Sequence, residues 1–451
     1  MLKRSVTALV CAALLAIGAV LPAAAVAGPP AGLVSFGLPT GSEPEGIAAG
    51  PDGNLWFAER GSDRIGRISP AGEVTEFPLP TENAQPFQIT AGPDGNVWFT
   101  ELQTGDVGRI TPTGAVTEFP VCGYCRPWGI TTGPEGDLWV TLPGAGEVAR
   151  LSTGGTVTRF PLGPLGPNEP RQISLGPDGN LWIADEGLEL EEPTIGQIGR
   201  ITPDGVVTRF AVPTPVENFR PTGIAAGPDG ALWFTGSGVG VGRIDTSGSI
   251  TEFPLPLFGE RNTITAGPEG NLWFGNSGSG SSDGSVDRLT PDGHLTTYAV
   301  PYGSRGVTVG PDGSIWFTEW AGHAIGRIAP GSPGIEVATA RTVVGNRRTG
   351  ISLFCSGGTA GSRCAGTAVV MARVHLKRSG GRPRSRRVVL GTARYGLTDD
   401  QGSAVLVRLR PSKLRQVPHG RELRVEFVAR ASSGVGSRRV LELAFPHQPP
   451  R

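Results

Sequence analysis

The sequence predicts an all-β protein: a seven-bladed β-propeller followed by a small C-terminal β-sandwich of immunoglobulin-like architecture. Three observations carry this prediction. The segment Gly-Pro-Asp-Gly-Asn-Leu-Trp-Phe at 50–57 returns in variant form, its opening glycine recurring at Gly92, Gly133, Gly176, Gly227, Gly267 and Gly310, in steps of 42, 41, 43, 51, 40 and 43 residues. Each unit holds four short apolar stretches parted by turn residues, which is the content of one blade. Finally, Val34 to Thr40 precedes the first full unit yet reads like the fourth stretch of the others, as in Val74 to Thr81.

Taken from the N-terminus, residues 1–27 read as a secretory signal peptide. Lys3 and Arg4 precede an apolar run from Val6 to Val20, and the small-residue triplet Ala25, Val26, Ala27 suits a cut near Ala27. An uncleaved N-terminal anchor is the alternative, although the apolar run is short for a bilayer span. The expected location is therefore extracellular or associated with the cell envelope. Beyond Cys11 the chain has four cysteines in two local pairs, Cys122 with Cys125 and Cys355 with Cys364. In an oxidising compartment each pair is expected to form a short-range disulfide. A redox or zinc half-site at Cys122 and Cys125 lacks the further ligands that zinc needs.

Residues 28–335 form the predicted propeller. In the first unit the four stretches are Glu45 to Ala49, Asn54 to Glu59, Arg64 to Ile68 and Glu73 to Phe77, with Gly-Pro-Asp-Gly after the first and Ser-Pro-Ala-Gly after the third. A lone four-stranded meander leaves both faces open, so neighbouring units must stack and the ring must close. The seventh unit ends at Ile325 to Ile328 without a fourth stretch, so the segment around Phe36 is expected to supply it. Two units carry insertions between their second and third stretches: the acidic Glu186 to Pro193 and the Gly/Ser-rich Ser277 to Ser282. Such loops are surface features that often carry recognition.

Residues 336–451 change character. Short alternating runs, among them Gly350 to Cys355, Gly366 to Leu376, Ala404 to Leu409 and Leu423 to Ala429, suggest the sandwich. The charge divides at the same place: 22 Lys and Arg against 6 Asp and Glu from 336 onward, a net +16, versus 16 against 34 over 28–335, a net −18. That asymmetry predicts two domains with two partners or one mutual interface. An anionic cell-envelope polymer is the expected partner of the basic domain; nucleic acid is not expected, and a monomer is.

The repeat wording, Pro-x-Gly-Ile-Thr-x-Gly-Pro-Asp-Gly-Asn-Leu-Trp-Phe-Thr-Glu followed by Ile-Gly-Arg-Ile, resembles the streptogramin B lyases, also called virginiamycin B lyases, over about residues 34–330. The resemblance implies a seven-bladed propeller and a metal-dependent elimination that opens a cyclic depsipeptide at its ester bond. It implies a catalytic histidine from the Pro-x-x-Ile column of a late blade, and a carboxylate of the Trp-Phe-Thr-Glu column that helps to hold magnesium.

Here the Pro-x-x-Ile column reads Glu45, Phe87, Trp128, Arg171, Thr222, Asn262 and Arg305, with no histidine. The elimination needs a base, a role that histidine fills well near neutral pH. The Trp-Phe-Thr-Glu column keeps Glu59, Glu101 and Glu319, with Asp185 as a possible substitute; Leu142, Gly236 and Asn276 fill the rest. Ring closure sets blade seven beside blade one, so Glu319, Glu59, Glu45 and Glu101 are expected to converge on one face, where they can hold Mg²⁺ or Ca²⁺ through oxygen ligands. Arg305 and Arg171 are candidates for an anionic group, Trp128 and Phe87 for stacking on a ligand ring, and His323 is the one candidate base on that face.

Two function classes follow. One is a secreted binding protein that takes a small molecule or peptide at the propeller face. The other is an active lyase of the streptogramin type, or a lactone-acting hydrolase, that uses His323, Glu319, Glu59 and a metal. A scaffold for other proteins is a third use of the same fold.

Overall fold

The computed structural model describes residues 33–163, 169–187, 196–213, 219–237, 240–253, 263–277, 284–291, 293, 295–300 and 302–329, and beyond them the backbone of the strands between 334 and 444. The predicted signal segment lies outside the described residues.

The ring has seven blades. Strand β1 (Leu33–Gly37) comes first, and blade one follows as β2 (Pro44–Ala49), β3 (Leu55–Glu59), β4 (Arg64–Ile68) and β5 (Val74–Pro78), paired in sequence order. Five further four-stranded meanders run from Pro86 to Pro120, Ile130 to Pro161, Pro170 to Ala211, Arg220 to Phe253 and Ile264 to Ala299. The last blade has β26 (Val307–Val309), β27 (Ile315–Glu319) and β28 (Ala324–Ile328), and its outer strand is β1, with Phe36 opposite Ile325. The first strand of each blade touches that of the next, and β26 touches β2.

The turn sequence explains each blade. In blade one the Asp52 carboxylate accepts the Trp56 indole N–H at 3.0 Å and the Asn54 amide N–H at 3.2 Å, so the turn and the tryptophan are locked together. Trp98, Trp182, Trp233 and Trp316 repeat the bond with Asp94, Asp178, Asp229 and Asp312. The indole lies so close to Gly50 that a Cβ there would stand 2.3 Å from it, and Gly53 adopts φ 77°, so the turn needs glycine at both ends.

Each tryptophan then stacks on the aromatic residue of its blade's outer strand. Trp56 and Phe77 lie 5.6 Å apart, and Trp316 takes Phe36 of β1 at the same distance. An arginine of the third strand covers the pair and crosses to the next blade, Arg67 to the Pro112 carbonyl and Arg327, across the closure, to the Pro70 carbonyl. The apolar core lies between blades: Ile47, Leu55, Phe57 and Ile68 pack with Trp316 and Ile325 across the seam.

From Gly334 onward the described residues are strands, β29 (Gly334–Val337) to β36 (Val435–Ala444). The strand β36 pairs with the outer strand of blade six at Thr297 and Tyr298. Cys355 and Cys364 lie on this strand backbone, and their side chains, and so their expected bridge, are outside the described residues. Cys122 and Cys125 are bonded, with Cα atoms 5.8 Å apart, inside the usual bridging range.

Candidate functional site

The strand order brings the starts of the first strands to one end of the ring axis. There a cavity of about 210 Å³ is lined by Glu45, Phe87, Trp128, Arg171, Thr222 and Arg305, together with Arg60, Gln88, Leu102, Arg126, Gln172 and Glu186. Six of the seven Pro-x-x-Ile residues therefore meet in one pocket; the seventh, Asn262, lies outside the described residues. A local device aims several of them. In blades one, two, four and five the pairing of first and second strands slips between the proline and the residue two or three on, as at Pro44/Ile47 and Pro86/Ile89. A bulge of this kind turns side chains out of the normal alternation, here toward the axis.

A second device holds their backbones. The hydroxyl of Thr100 donates to the Trp128 carbonyl of the next blade, that of Thr141 to the Arg171 carbonyl, and that of Thr318 to the Glu45 carbonyl. Each also accepts an N–H from its own blade, those of Gln88, Gly129 and Gly306 respectively. In blade six, where glycine occupies the position at Gly275, Thr263 from the first strand donates to the Arg305 carbonyl instead, at 2.7 Å. The recurring threonine of Trp-Phe-Thr was a legible signal of these positioning residues. Thr141→Val keeps the shape and removes the hydroxyl, leaving the Gly129 N–H and the Arg171 carbonyl unmatched. It is expected to cost about 1–3 kcal/mol, read as a lower denaturant midpoint at unchanged slope.

The pocket wall is built of three linked groups. Glu45, 2 % exposed, accepts from Arg305 at 2.5 Å and has Arg60 at 3.6 Å. Burial pushes its carboxyl up to about 7, against the downward pull of those two arginines. Trp128 leans on Phe87, with ring centroids 4.3 Å apart, and the Arg171 guanidinium lies 4.2 Å from the Trp128 centroid. Arg171 is in turn held by Glu186 at 2.6 Å and Glu169 at 3.3 Å. Glu186, the first residue of the blade-four insertion, lines the pocket; 188–195, like 278–283 of the blade-six insertion, lie outside the described residues.

The carboxylates of the Trp-Phe-Thr-Glu column take other places. Glu59 accepts from Ser62 at 2.9 Å, Glu101 from Thr104 at 2.9 Å and Glu319 from Ser35 of β1 at 2.8 Å. All are buried, and none lines the cavity. The second strand lies between its two neighbours in the sheet and between adjacent blades in space, so its last side chain folds over its own blade. A Cβ added at Gly66 of β4 would stand 2.8 Å from Glu59 Oε1. Glu45 alone of the expected acids faces the axis.

Asp185 is used locally as well, accepting the backbone N–H groups of Glu169 and Gly187. Among the described residues no three His, Cys, Asp or Glu side chains gather as a divalent-ion cluster. The donor set expected for Mg²⁺ or Ca²⁺ from Glu319, Glu59, Glu101 and Glu45 does not fit in this arrangement, because only Glu45 lines the cavity.

His323 sits in the hairpin between β27 and β28 at φ 48°. Its Nδ1 accepts the Glu43 N–H at 3.4 Å and its carbonyl accepts the Leu38 N–H at 2.7 Å, so it fastens the closure segment and stands outside the cavity lining.

A closed ring of seven blades whose inner strands meet around an axial cavity defines a β-propeller with a central-face site. The chain belongs to the virginiamycin B lyase family, whose sequence profile matches residues 30–191 and 124–336. A selenomethionine-substituted virginiamycin B lyase from Staphylococcus aureus is 34% identical with a TM-score of 0.59, covering 65% of this chain and 98% of that one. A catalytically inactive histidine-to-alanine virginiamycin B lyase from the same organism, solved with quinupristin, is 33% identical with a TM-score of 0.58, covering 65% and 98%. A virginiamycin B lyase of Bordetella pertussis is 54% identical over 41 residues, a segment that spans 9% of this chain and 14% of that relative.

Proposed function

We propose that this chain is a secreted, ligand-binding member of the virginiamycin B lyase family, whose axial pocket takes a small molecule or peptide without the family's histidine-based elimination. One observation carries the reading: the pocket column presents Glu45, Phe87, Trp128, Arg171, Thr222 and Arg305, and His323 stands outside it. Residues 1–27 support export, and the net +16 of residues 336–451 supports association with anionic envelope polymer.

One observation favours the lyase reading. A buried carboxyl at about 7, that of Glu45, can accept a proton near neutrality.

The test is incubation of the purified protein with Mg²⁺ and quinupristin, followed by mass spectrometry. The expected result is intact antibiotic. Linearised product would overturn the binding reading, and its loss in Glu45→Gln but not in His323→Ala would assign the base to the pocket. In the same preparation, binding to isolated cell walls is expected to weaken steeply with added salt.

A further inference from the structure

We propose that the axial pocket takes a small organic carboxylate bearing a flat ring, of the size of an aryl carboxylate. The inference deepens the binding reading above and rests on it.

Charge is the first ground. The wall brings four guanidinium groups, Arg60, Arg126, Arg171 and Arg305, against two carboxylates, Glu45 and Glu186. Both carboxylates are already engaged, Glu45 by Arg305 and Arg60, Glu186 by Arg171 at 2.6 Å and Arg220 at 3.8 Å. The excess of cations around one recess favours a ligand of opposite charge.

Unused donors are the second ground. Arg305 Nε is buried without a hydrogen-bond partner. Arg126 makes no hydrogen bond or ion pair among the described residues, and its backbone is held at φ 54° beside the Cys122–Cys125 bridge. A buried N–H without an acceptor is costly, and a carboxylate supplies two acceptor oxygens in the plane that a guanidinium fork presents.

Size and surface are the third. The cavity, at about 210 Å³, is smaller than the roughly 300–1,000 Å³ that drug-sized ligands occupy. A whole macrocyclic peptide exceeds it; a single ring with an acid group fits. The apolar part of the lining is made by Phe87, Trp128 and Leu102, from blades two and three. Phe87 leans on Trp128 at 57° and Arg171 stacks on it, so the lining already pairs aromatic rings with a guanidinium, the surface on which a further flat ring packs well.

Calorimetric titration of the full chain with benzoate, benzamide and inorganic phosphate tests this. Benzoate is expected to bind saturably, and benzamide, which keeps the ring and loses the charge, at least tenfold more weakly. Phosphate, which keeps the charge and loses the ring, is also expected to bind at least tenfold more weakly. Arg126→Gln, at an exposed and unpaired position, is expected to leave the melting temperature unchanged and to weaken benzoate about tenfold.

Benzamide or phosphate binding as well as benzoate, an Arg126→Gln protein with undiminished affinity, or no saturation at millimolar benzoate would each overturn the inference. Quinupristin titrated alongside separates the two claims. If it binds intact while benzoate does not, the anion inference falls and the binding reading stands. If it is linearised, the binding reading falls, and displacement by benzoate still decides the ligand class.

Discussion

Deleting residues 33–37 is expected to cost at least about 3–5 kcal/mol and to make the propeller self-associate. The five residues of β1 form the outer strand of blade seven, paired with β28 from Leu33 opposite Ile328 to Gly37 opposite Ala324. Their loss removes the Phe36 ring from Trp316, exposes a buried tryptophan and leaves the backbone groups of β28 unpaired at an open edge. It also takes away the Ser35 hydroxyl that Glu319, 4 % exposed, accepts from. Phe36→Ala keeps the ladder and loses only the stack, so it is expected to lie between the wild type and the deletion. Guanidinium unfolding and size-exclusion chromatography read both effects. A deletion protein with the midpoint and elution volume of the wild type would show that another segment closes the ring.

The second large effect is on pH. Five buried carboxyls are pushed up, chiefly by burial: Glu319 and Asp185 above their ordinary values, and, furthest, Glu45 and Glu59 to about 7 and Glu101 to about 8, with Glu76 adding to it at Glu59 and Glu118 at Glu101. Each binds its proton more tightly in the folded chain than in the unfolded one. The stability that Glu45, Glu59 and Glu101 each contribute is fully present below the ordinary glutamate value of 4.5, and is lost as pH rises through about 7 to 8.

The turn aspartates Asp52, Asp94, Asp178, Asp229 and Asp312 behave oppositely. Burial works to raise them, but hydrogen bonds from the tryptophan indole and the neighbouring turn residues, with Arg243 at Asp229 and Arg327 at Asp312, outweigh it and hold them below the usual range. Their contribution is present above the ordinary 3.8 and is lost in acid. Together the two sets place the stability maximum in mildly acidic solution, near pH 5, with a fall on the order of 1–3 kcal/mol per buried glutamate toward pH 9.

Glu101 offers the cleanest check, because its Oε1 is buried without a partner and no arginine pairs with it. Glu101→Gln is expected to flatten part of the decline between pH 6 and 9 and to be the more stable protein at the alkaline end. Melting temperatures that rise from pH 5 to 8 in the wild type would sink this account.

Much of the architecture was legible because it is written locally and repeatedly. The Gly-Pro-Asp-Gly turn and the tryptophan four residues after its aspartate are joined by one short-range hydrogen bond in five blades, and blades three and six keep the glycines and the tryptophan with glutamate in the turn, so the recurrence marks each blade without knowledge of its neighbours. The closure was legible for the same reason, since Phe36 occupies the slot that Phe77 occupies in blade one. Six members of the Pro-x-x-Ile column line the cavity, and the bulge that aims several of them had no reading in the residues.

The acids of the Trp-Phe-Thr-Glu column show where local reading stopped. Their common height on the ring suggested one cluster, but each is captured by something nearby. Glu59 has Ser62 and Glu101 has Thr104, hydroxyls three residues further on in their own hairpins. That Glu-x-x-Ser/Thr spacing was present in the sequence as a signal for local capture. The partner of Glu319, Ser35, comes from 284 residues away and was not legible.

The sequence by itself determined the number of blades, their strand order and the strand that seals the ring, because repeated short-range turns and stacks suffice for those. Only the tertiary structure decided which polar side chains face the axis and which are spent inside the blades. That choice depends on backbone bulges and on threonine and arginine contacts to the adjoining blade, which exist only once the ring has closed.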